Sequence, residues 1–325
     1  FLVVGGWSNV SATDWRWQVQ KIDIKMNPWV KVWDYTENFG HSAKVLSVAV
    51  NGDGTIYAGG FGYPDGVRIE RLNTNSGSLK LEWARNPRKL MGEGNWSASC
   101  ESAGVWGIAA DREGSAYGAY PTGIPGGYGL VQWGMAKIGR NGEAYDENNP
   151  NSQWWTKFSN PEVERRSPNA ACPWAVVADV SDQVIYVAGH DGEGPLDLGR
   201  TPYGRLRLEK RKMSDGVLLW EYVHAPYFDG SKVSCSPGYY CGQNVNVAAT
   251  LAVDEVRDSA YLSGIKRNNR QLYVEKINIH EGVTPGTLAW AYEGSETPVG
   301  HGDEFLGSAV DPLGGGLYAV GYLDA

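Results

Sequence analysis

The side chains with the greatest capacity for chemistry lie in one acidic loop, 190–197, which contains His190, Asp191, Glu193 and Asp197. Three carboxylates could bind Ca²⁺, an ion that takes oxygen ligands in flexible geometry. The spacing matches no EF-hand, however, and a solvated glycine-rich turn explains the loop better. We therefore predict no cofactor and assign no metal ligands, with calcium as the one ion that this loop could hold.

No catalytic residue can be assigned from the sequence. The five histidines fall in or near expected loops without a partner motif, and HExxH, GxSxG and P-loop patterns are absent. The sialidase Asp-box is absent as well, and no CxxC pattern indicates a zinc site. These observations favour a protein without enzymatic activity.

Aromatic side chains are stronger candidates for binding, because exposed rings stack on sugars and anchor protein interfaces. The chain has 14 tryptophans and 18 tyrosines, and those outside regularly repeated positions include Trp15, Trp17, Trp96, Trp106, Trp133, Tyr227, Tyr239 and Tyr240. Packing between elements is the alternative, above all for Trp106. With the acidic loop 190–197, we predict that the binding residues are Trp96, Trp133, Tyr227, Tyr239 and Tyr240.

An internal repeat determines how these residues are positioned. The segment 48–60 is VAVNGDGTIYAGG, and similar segments occur at 108–120, 177–189, 251–264 and 308–321. Each contains a short apolar strand, a turn with Asp, Asn or Gly, and a second strand with a tyrosine. A second block, such as IERLN at 69–73, follows the first four of these pairs, also opens the chain, and leads to a strand with a tryptophan. One unit is therefore four short strands.

Units of four short strands cannot bury a hydrophobic face alone and must stack. This predicts an all-β fold, a β-propeller of four-stranded antiparallel blades; a β-solenoid is the rival, but its repeats are shorter and parallel. We predict a single β-propeller domain over 1–325 with about six blades, at approximately 1–40, 41–95, 100–160, 172–225, 245–295 and 303–325. The first blade lacks its opening strand and the last lacks its closing pair, so we expect further residues at both ends and a ring of at least six blades.

The unit A-V-D-x-x-G-x-x-Y-x-x-G, followed by V-x-K-[IL]-[DN] and G-x-L-x-W, resembles the bacterial-type seven-bladed β-propeller repeat family. The segment KMSDGVLLWEY at 212–222 is also similar to the repeat of pyrroloquinoline-quinone propellers. The resemblance implies that Gly and Asp form turns, that the tyrosine and tryptophan pack between blades, and that the basic residue pairs at a blade edge. It implies no activity, because propellers host many unrelated functions.

The long insertions fall in connections that a propeller places on one face. Four join one blade to the next, at 85–104, 158–173, 224–246 and 294–306, and two join second to third strands, at 121–134 and 190–204. The first-to-second hairpins, on the opposite face, are tight. Because binding sites usually occur on loops of a rigid scaffold, we predict that this loop-rich face is the working surface. The alternative is that the loops only seal the junctions between blades.

All four cysteines lie in blade-to-blade connections of the predicted propeller. Cys235 and Cys241 enclose SPGYY, a natural small disulfide loop, and neighbouring blades would bring Cys100 and Cys172 together. We therefore predict the disulfides Cys100–Cys172 and Cys235–Cys241, which imply an oxidising compartment.

Glycosylation sequons and composition restrict the location and the partners further. Sequons at Asn9 and Asn95, both in expected loops, favour a secreted or cell-surface glycoprotein. The net charge is −8, and the densest basic segment, 205–212, alternates with apolar residues, so we predict no nucleic-acid partner. No apolar stretch approaches the roughly 18 residues that a membrane span requires, so we predict none.

The favoured function is a non-enzymatic extracellular propeller, a binding or structural module that presents its loop-rich face to proteins or glycans. Self-assembly, or a place in a larger surface, matrix or filament assembly, is a further expectation. The first alternative is a carbohydrate-active enzyme, a hydrolase or lyase with paired carboxylates on that face. The second is a quinoprotein-like oxidoreductase, which the sequence disfavours because it has neither adjacent cysteines nor eight repeats.

Overall fold

The structure is a computed structural model, and it describes most of the repeated strands and their tight turns. The described residues are 1–11, 14–39, 43–62, 66–73, 80–86, 104–123, 131–143, 155–158, 172–191, 205–224, 247–266, 271–279, 286–293, 304–311, 313 and 316–322.

Short β-strands account for nearly all of these residues, as the alternation of apolar and polar residues predicts. A 3-10 helix at Glu255–Arg257 is the only helix among them. The strands are β1 Leu2–Ser11, β2 Asp14–Asp23, β3 Val30–Glu37, β4 Ala43–Val50, β5 Ile56–Gly62, β6 Gly66–Asn73, β7 Lys80–Arg85, β8 Gly107–Ala110, β9 Ala116–Gly123, β10 Val131–Ile138, β11 Trp155–Phe158, β12 Cys172–Asp179, β13 Val184–Asp191, β14 Arg205–Lys212, β15 Leu218–His224, β16 Val247–Asp254, β17 Ser259–Lys266, β18 Gln271–Asn278, β19 Thr287–Glu293, β20 Glu304–Val310 and β21 Leu317–Tyr322.

The strands form six sheets of consecutive antiparallel neighbours, which we number as blades 1 to 6. Blade 1 has the order β1-β2-β3, blade 6 contains β20 and β21, and the blades between them have four strands each. The all-β propeller fold of four-stranded blades is confirmed, with incomplete first and last blades. Each sheet lies within one of the six intervals that the repeat predicts.

The chain forms two compact units. The first contains Phe1–Gly127, Trp133–Phe158 and the short Met213–Gly216, and the second contains Tyr128–Gln132, Ser159–Lys212 and Val217–Ala325. Blades 1 to 3 therefore belong to the first unit and blades 4 to 6 to the second, apart from those two short segments. A single domain over 1–325 stays a prediction.

Each first-to-second hairpin is closed by a polar side chain that binds its own turn. Asn51 Oδ1 accepts the backbone N–H of Thr55 at 2.9 Å, and Asp111 Oδ1 accepts that of Ser115 at 2.8 Å. The corresponding residues in the other hairpins also accept backbone N–H groups: Asp179, Asp254 and Asp311. The predicted role of the repeated Asp is thus confirmed, and these turns use their carboxylates internally.

The hydrophobic core lies between the blades of each unit. Between blades 1 and 2 it contains Trp17, Val19, Ile56, Ala58 and Leu72. Similar clusters join blades 2 and 3 in the first unit and blades 4 and 5 in the second. Because strand side chains alternate between the two faces of a sheet, blade 2 buries one face against blade 1 and the other against blade 3.

The described part of the chain contains no helix with the length and apolar character needed to cross a bilayer.

Candidate functional site

One row of side chains recurs across the blades, with a tyrosine on the second strand, a basic residue on the third and a tryptophan on the fourth. In blade 2 the strand register places Tyr57 beside Arg71 and Arg71 beside Trp83. The Tyr57 and Trp83 rings are 6.2 Å apart. The ring distance is 6.2 Å in Tyr186–Trp220 and 6.1 Å in Tyr261–Trp290. An ammonium lies over the tyrosine ring of these two blades, from Lys210 and Lys276.

The row in blade 2 also donates hydrogen bonds to blade 3. The Tyr57 hydroxyl donates to the Gly114 carbonyl at 2.6 Å. Trp83 Nε1 and Arg71 Nη1 both donate to the Arg140 carbonyl, at 3.0 Å and 2.7 Å. The implied packing of tyrosine and tryptophan between blades, and the pairing of the basic residue at a blade edge, are therefore confirmed at this junction. The row is architecture that the repeat encodes, and it leaves these polar groups unavailable to a ligand.

A second repeated feature was not predicted from the sequence. It is a fully buried glutamate on the third strand, directly before the basic residue of the row. Its side chain is 0% exposed in Glu70, Glu209 and Glu275. Arg207 Nε and Arg211 Nε bind the Glu209 carboxylate at 2.6 Å and 2.8 Å. The Tyr273 hydroxyl donates to Glu275 Oε1 at 2.8 Å. Because buried charges need such partners, and because the residue recurs in three blades, it belongs to the blade architecture.

Glu70 lies in a cluster of titratable groups between blades 1 and 2. Arg68 Nε binds Glu70 Oε1 at 2.6 Å, and Arg68 Nη2 lies 3.4 Å from Glu37 Oε1. The Tyr35 hydroxyl donates to Glu37 Oε2. Burial raises the pKa of Glu70 to about 8 and outweighs the opposing effect of Arg68. Burial is also the main reason for the raised pKa of Tyr35, followed by the Glu70 charge.

The carboxylates of Glu37 and Glu70 lie close together in this cluster, and a glycoside hydrolase also needs a pair of carboxylates. Glu70, however, is 0% exposed, so a substrate cannot reach it, and its strand position matches that of Glu209 and Glu275. The described geometry therefore supports a structural role for the pair.

A second group of side chains at the junction of blades 1 and 2 is more exposed than the charged cluster. It consists of a lysine between two tryptophans. Lys44 Nζ lies 3.9 Å from the Trp15 ring centroid and 4.5 Å from the Trp7 ring centroid. Trp7 is 50% exposed, whereas Trp15 and Lys44 are half-buried. We call these three residues the tryptophan–lysine site. They come from β1, β2 and β4, toward the end of the strands where β1 connects to β2 and blade 1 connects to blade 2, which is the predicted loop-rich face.

Aromatic contacts join this site to the charged cluster. Trp17, opposite Trp7 in the strand register, meets the Phe39 ring edge to face at 6.5 Å. The Arg68 guanidinium lies 4.5 Å from the Phe39 ring centroid. The junction therefore offers an exposed aromatic ring, an ammonium and the partly exposed carboxylate of Glu37. These groups can bind a ligand, and none of them is an activated nucleophile.

The structure places one predicted binding residue where a ligand cannot contact it. Trp133, in β10, is 2% exposed, so the packing alternative applies, as it does to the fully buried Trp17. His190 and Asp191 end β13, and the register sets His190 opposite Cys172; the side chains of all three lie outside the described residues.

The remaining predicted site residues fall in segments that the structure does not describe: Trp96, Glu193, Asp197, Tyr227, Tyr239, Tyr240, Cys100, Cys235, Cys241 and Asn95. Their binding roles, both disulfides and the calcium-binding role of the acidic loop stay predictions. Asn9, expected in a loop, lies in β1 instead, close to its irregular end, and its side chain is exposed. Among the residues that are described, no group of three or more His, Cys, Asp or Glu side chains could hold a metal ion.

Sequence reasoning missed Trp7 and Lys44. The available signal was WSNVSATDWRW at 7–17, in which tryptophans flank a short connection on both sides. Lys44 carries no sequence signal of its own, because it approaches the two rings only when blade 2 packs on blade 1.

No protein-family model matches the chain, and no curated protein matches it. Solved structures do match. Hydrazine synthase of Kuenenia stuttgartiensis aligns with a TM-score of 0.53 and 11% identity, over 94% of this chain and 70% of that chain. A protein from Lactobacillus plantarum aligns with a TM-score of 0.50 and 10% identity, over 98% and 74%. The β-propeller domain of Vanderwaltozyma polyspora Nup133 aligns with a TM-score of 0.49 and 10% identity, over 98% and 79%. At such identities the likeness concerns the fold alone.

Proposed function

We propose that this chain is a secreted, non-enzymatic β-propeller that binds proteins or glycans at its loop-rich face. The observation that carries the proposal is the tryptophan–lysine site, where a half-exposed Trp7 and a second ring, Trp15, hold the Lys44 ammonium between them.

The arrangement suits recognition because its parts are held before a ligand arrives. A cation over an aromatic ring contributes about 0.5–1 kcal/mol at exposed sites, so Lys44 restrains both rings. The apolar face of a sugar could then stack on Trp7, and the ammonium could bind a hydroxyl or carboxylate at its edge. A protein segment with an aromatic or acidic side chain would use the same groups.

Secretion is supported by the predicted disulfides and by the two sequons, of which Asn9 is exposed. The bacterial-type seven-bladed repeat family that the sequence resembles supports a repeated scaffold with variable connections. Membership of that family, like extracellular location, is part of this proposal.

The test is a glycan array and a pull-down, each carried out with the wild-type chain, Trp7→Ala and Trp15→Ala. Trp29→Ala is the matched control, because Trp29 is 67% exposed but lies in the turn between β2 and β3, at the other end of the same sheet. We expect each site variant to lose about tenfold or more in affinity, equivalent to about 1.4 kcal/mol, and the control to retain binding. Binding that Trp29→Ala weakens as much as Trp7→Ala, or no binding to either class of ligand, would refute the proposal.

A further inference from the structure

The sequon at Asn9 lies beside the tryptophan–lysine site and not in a separate loop. Asn9 belongs to β1, two residues after Trp7, and its side chain is exposed. The register of blade 1 places Asn9 directly opposite Trp15 of β2. The pairing becomes irregular only beyond this point, between Asn9 and Ser11. Asn9 is therefore part of the regular ladder between β1 and β2, and the direction of its side chain follows from its position.

Asn9 lies on the face of β1 that turns toward blade 2. A Cβ added to Gly5 would lie 2.5 Å from Cγ1 of Val45 in blade 2, and the Trp7 ring contacts Lys44 of the same blade. Side chains alternate between the two faces along a strand. Since Gly5, Trp7 and Asn9 are successive alternate positions of β1, the Asn9 side chain follows the Trp7 ring on this face.

Trp15 gives the same direction for Asn9 by a separate route. Directly opposite residues of an antiparallel pair lie on one face of the sheet, with Cβ atoms about 4.5–5.5 Å apart. The Trp15 ring lies under the Lys44 ammonium of blade 2, so Asn9, its opposite residue, turns to that blade as well. Trp7 is two residues away along the strand, about 7 Å at the rise of a β-strand. One tryptophan therefore neighbours Asn9 along β1 and another lies across from it.

These positions suit a sugar that is bonded to the Asn9 side chain. In an N-linked glycan, C1 of the first pyranose is bonded to Nδ2 of the asparagine, so this ring lies next to the side chains that neighbour Asn9. The C–H groups on one face of a pyranose form an apolar surface that packs on an indole ring. Trp7 is 50% exposed, and much of its surface is therefore open to a sugar although the Lys44 ammonium also lies over its ring.

We propose that Asn9 carries an N-linked glycan whose first sugar stacks on Trp7, within the tryptophan–lysine site of the same chain. The glycosyl group comes from a lipid-linked saccharide phosphate: the bond from C1 to the phosphate oxygen breaks, C1 bonds to Nδ2, and the amide proton leaves with the phosphate. Such glycans are attached to exported chains, so this inference rests on the secreted location in the proposed function. The stacked sugar regulates the site, because an external ligand has to displace it.

The experiment is oxidative footprinting with hydroxyl radicals, read by peptide mass spectrometry, on the full chain secreted from a host whose N-glycans begin with N-acetylglucosamine. The samples are the wild type, the wild type enzymatically trimmed to its first sugar, Asn9→Gln, and Ser11→Ala, which removes the sequon but keeps Asn9. Asn95→Gln is the matched control, because it removes the other sequon, which has Glu93 where the first has Trp7.

We expect a glycan on Asn9 and oxidation of Trp7 that is slower by about threefold or more than in Asn9→Gln, as a stacked ring requires. The trimmed chain and Asn95→Gln should keep this protection, and Ser11→Ala should lose it. Trp29, 67% exposed in the turn at the other end of the sheet, should oxidise equally in all samples and serves as the internal reference.

The result separates this inference from the proposed function. An unmodified Asn9, or a Trp7 that oxidises as fast in the wild type as in Asn9→Gln, would overturn the inference and leave the site open to an external ligand. Protection that disappears on trimming would also overturn it, because the outer sugars would then shield the ring. Asn9→Gln should bind an external ligand about tenfold more tightly than the glycosylated chain. If Trp7 is protected in the wild type but Asn9→Gln binds no external ligand, the stacked glycan stands and the proposed function fails.

Discussion

The turn that carries Gly142 provides a direct measure of how tightly consecutive blades interlock. Gly142 has a φ of +71°, and a Cβ added there would lie 2.8 Å from Cγ of Trp83. Trp83 is 7% exposed, and its Nε1 is bound to the Arg140 carbonyl. The ring therefore cannot move aside without losing that hydrogen bond, and Gly142→Ala should be strongly destabilising.

A matched glycine separates the two contributions to the expected effect. Gly54 has a φ of +85° with nothing within 4 Å of its added Cβ, so Gly54→Ala costs only the left-handed backbone, about 1–2 kcal/mol. Overpacking adds about 1–3 kcal/mol, which brings Gly142→Ala to about 2–5 kcal/mol. Gly286, at φ +73° and 3.2 Å from Cε3 of Trp220, should be intermediate.

Equilibrium urea unfolding followed by tryptophan fluorescence measures these differences, and Gly54 and Gly142 belong to the same compact unit, so one transition reports both. If Gly142→Ala and Gly54→Ala lower the free energy of unfolding by the same amount, the Trp83 ring does not restrict the space at Gly142.

Two further substitutions test the buried polar groups at the junctions. The pKa of Glu70 is raised from 4.5 to about 8 in the folded chain, so the unfolded chain releases this proton at a lower pH than the folded chain does. The free energy of unfolding should therefore fall by up to about 4–5 kcal/mol as pH rises from about 4.5 to about 8. Glu70→Gln should remove most of that dependence, whereas Glu113→Gln, at an exposed position, should leave it intact; chemical denaturation across this pH range decides between them. Tyr57→Phe should cost about 1–2 kcal/mol, because the Gly114 carbonyl loses its buried donor. Tyr292→Phe, at a hydroxyl-bearing ring that is 56% exposed, should change the unfolding free energy by less than about 0.5 kcal/mol, and equal effects of the two would contradict the assignment.

The repeat made the blades predictable because its defining residues act locally or at a fixed register. The spacing of Asp111 and Tyr117 shows this, since the Tyr117 hydroxyl donates to Asp111 Oδ2 within one hairpin. The row of tyrosine, basic residue and tryptophan follows from antiparallel pairing of neighbouring strands. Such contacts need only the strand pattern, and they follow from sequence.

Burial of the glutamates was not predictable in the same way. An acidic residue beside Arg71 or Lys276 in an alternating strand is typical of a solvent-facing position. Glu70 and Glu275 are buried because the preceding blade covers that face of the sheet and places its own polar groups there, Glu37 near Glu70 and Tyr222 near Glu275. Their recurrence before the basic residue was visible, but its meaning depends on contacts between blades.

Contacts between neighbouring blades also determine where the candidate site lies. It lies at a junction whose residues differ from those at the equivalent positions of the next junction. At the junction between blades 2 and 3, the alignment places Phe61 at the position of Trp7 and Gly104 at the position of Lys44. A Cβ at Gly104 would lie 2.7 Å from Cδ1 of Leu46, so that junction has no room for a lysine side chain. The junction between blades 1 and 2 does not have this close packing, and there the Lys44 ammonium lies between the Trp7 and Trp15 rings. Nothing in the described part of the blades requires that exchange, and this is a reason for proposing a ligand at the tryptophan–lysine site.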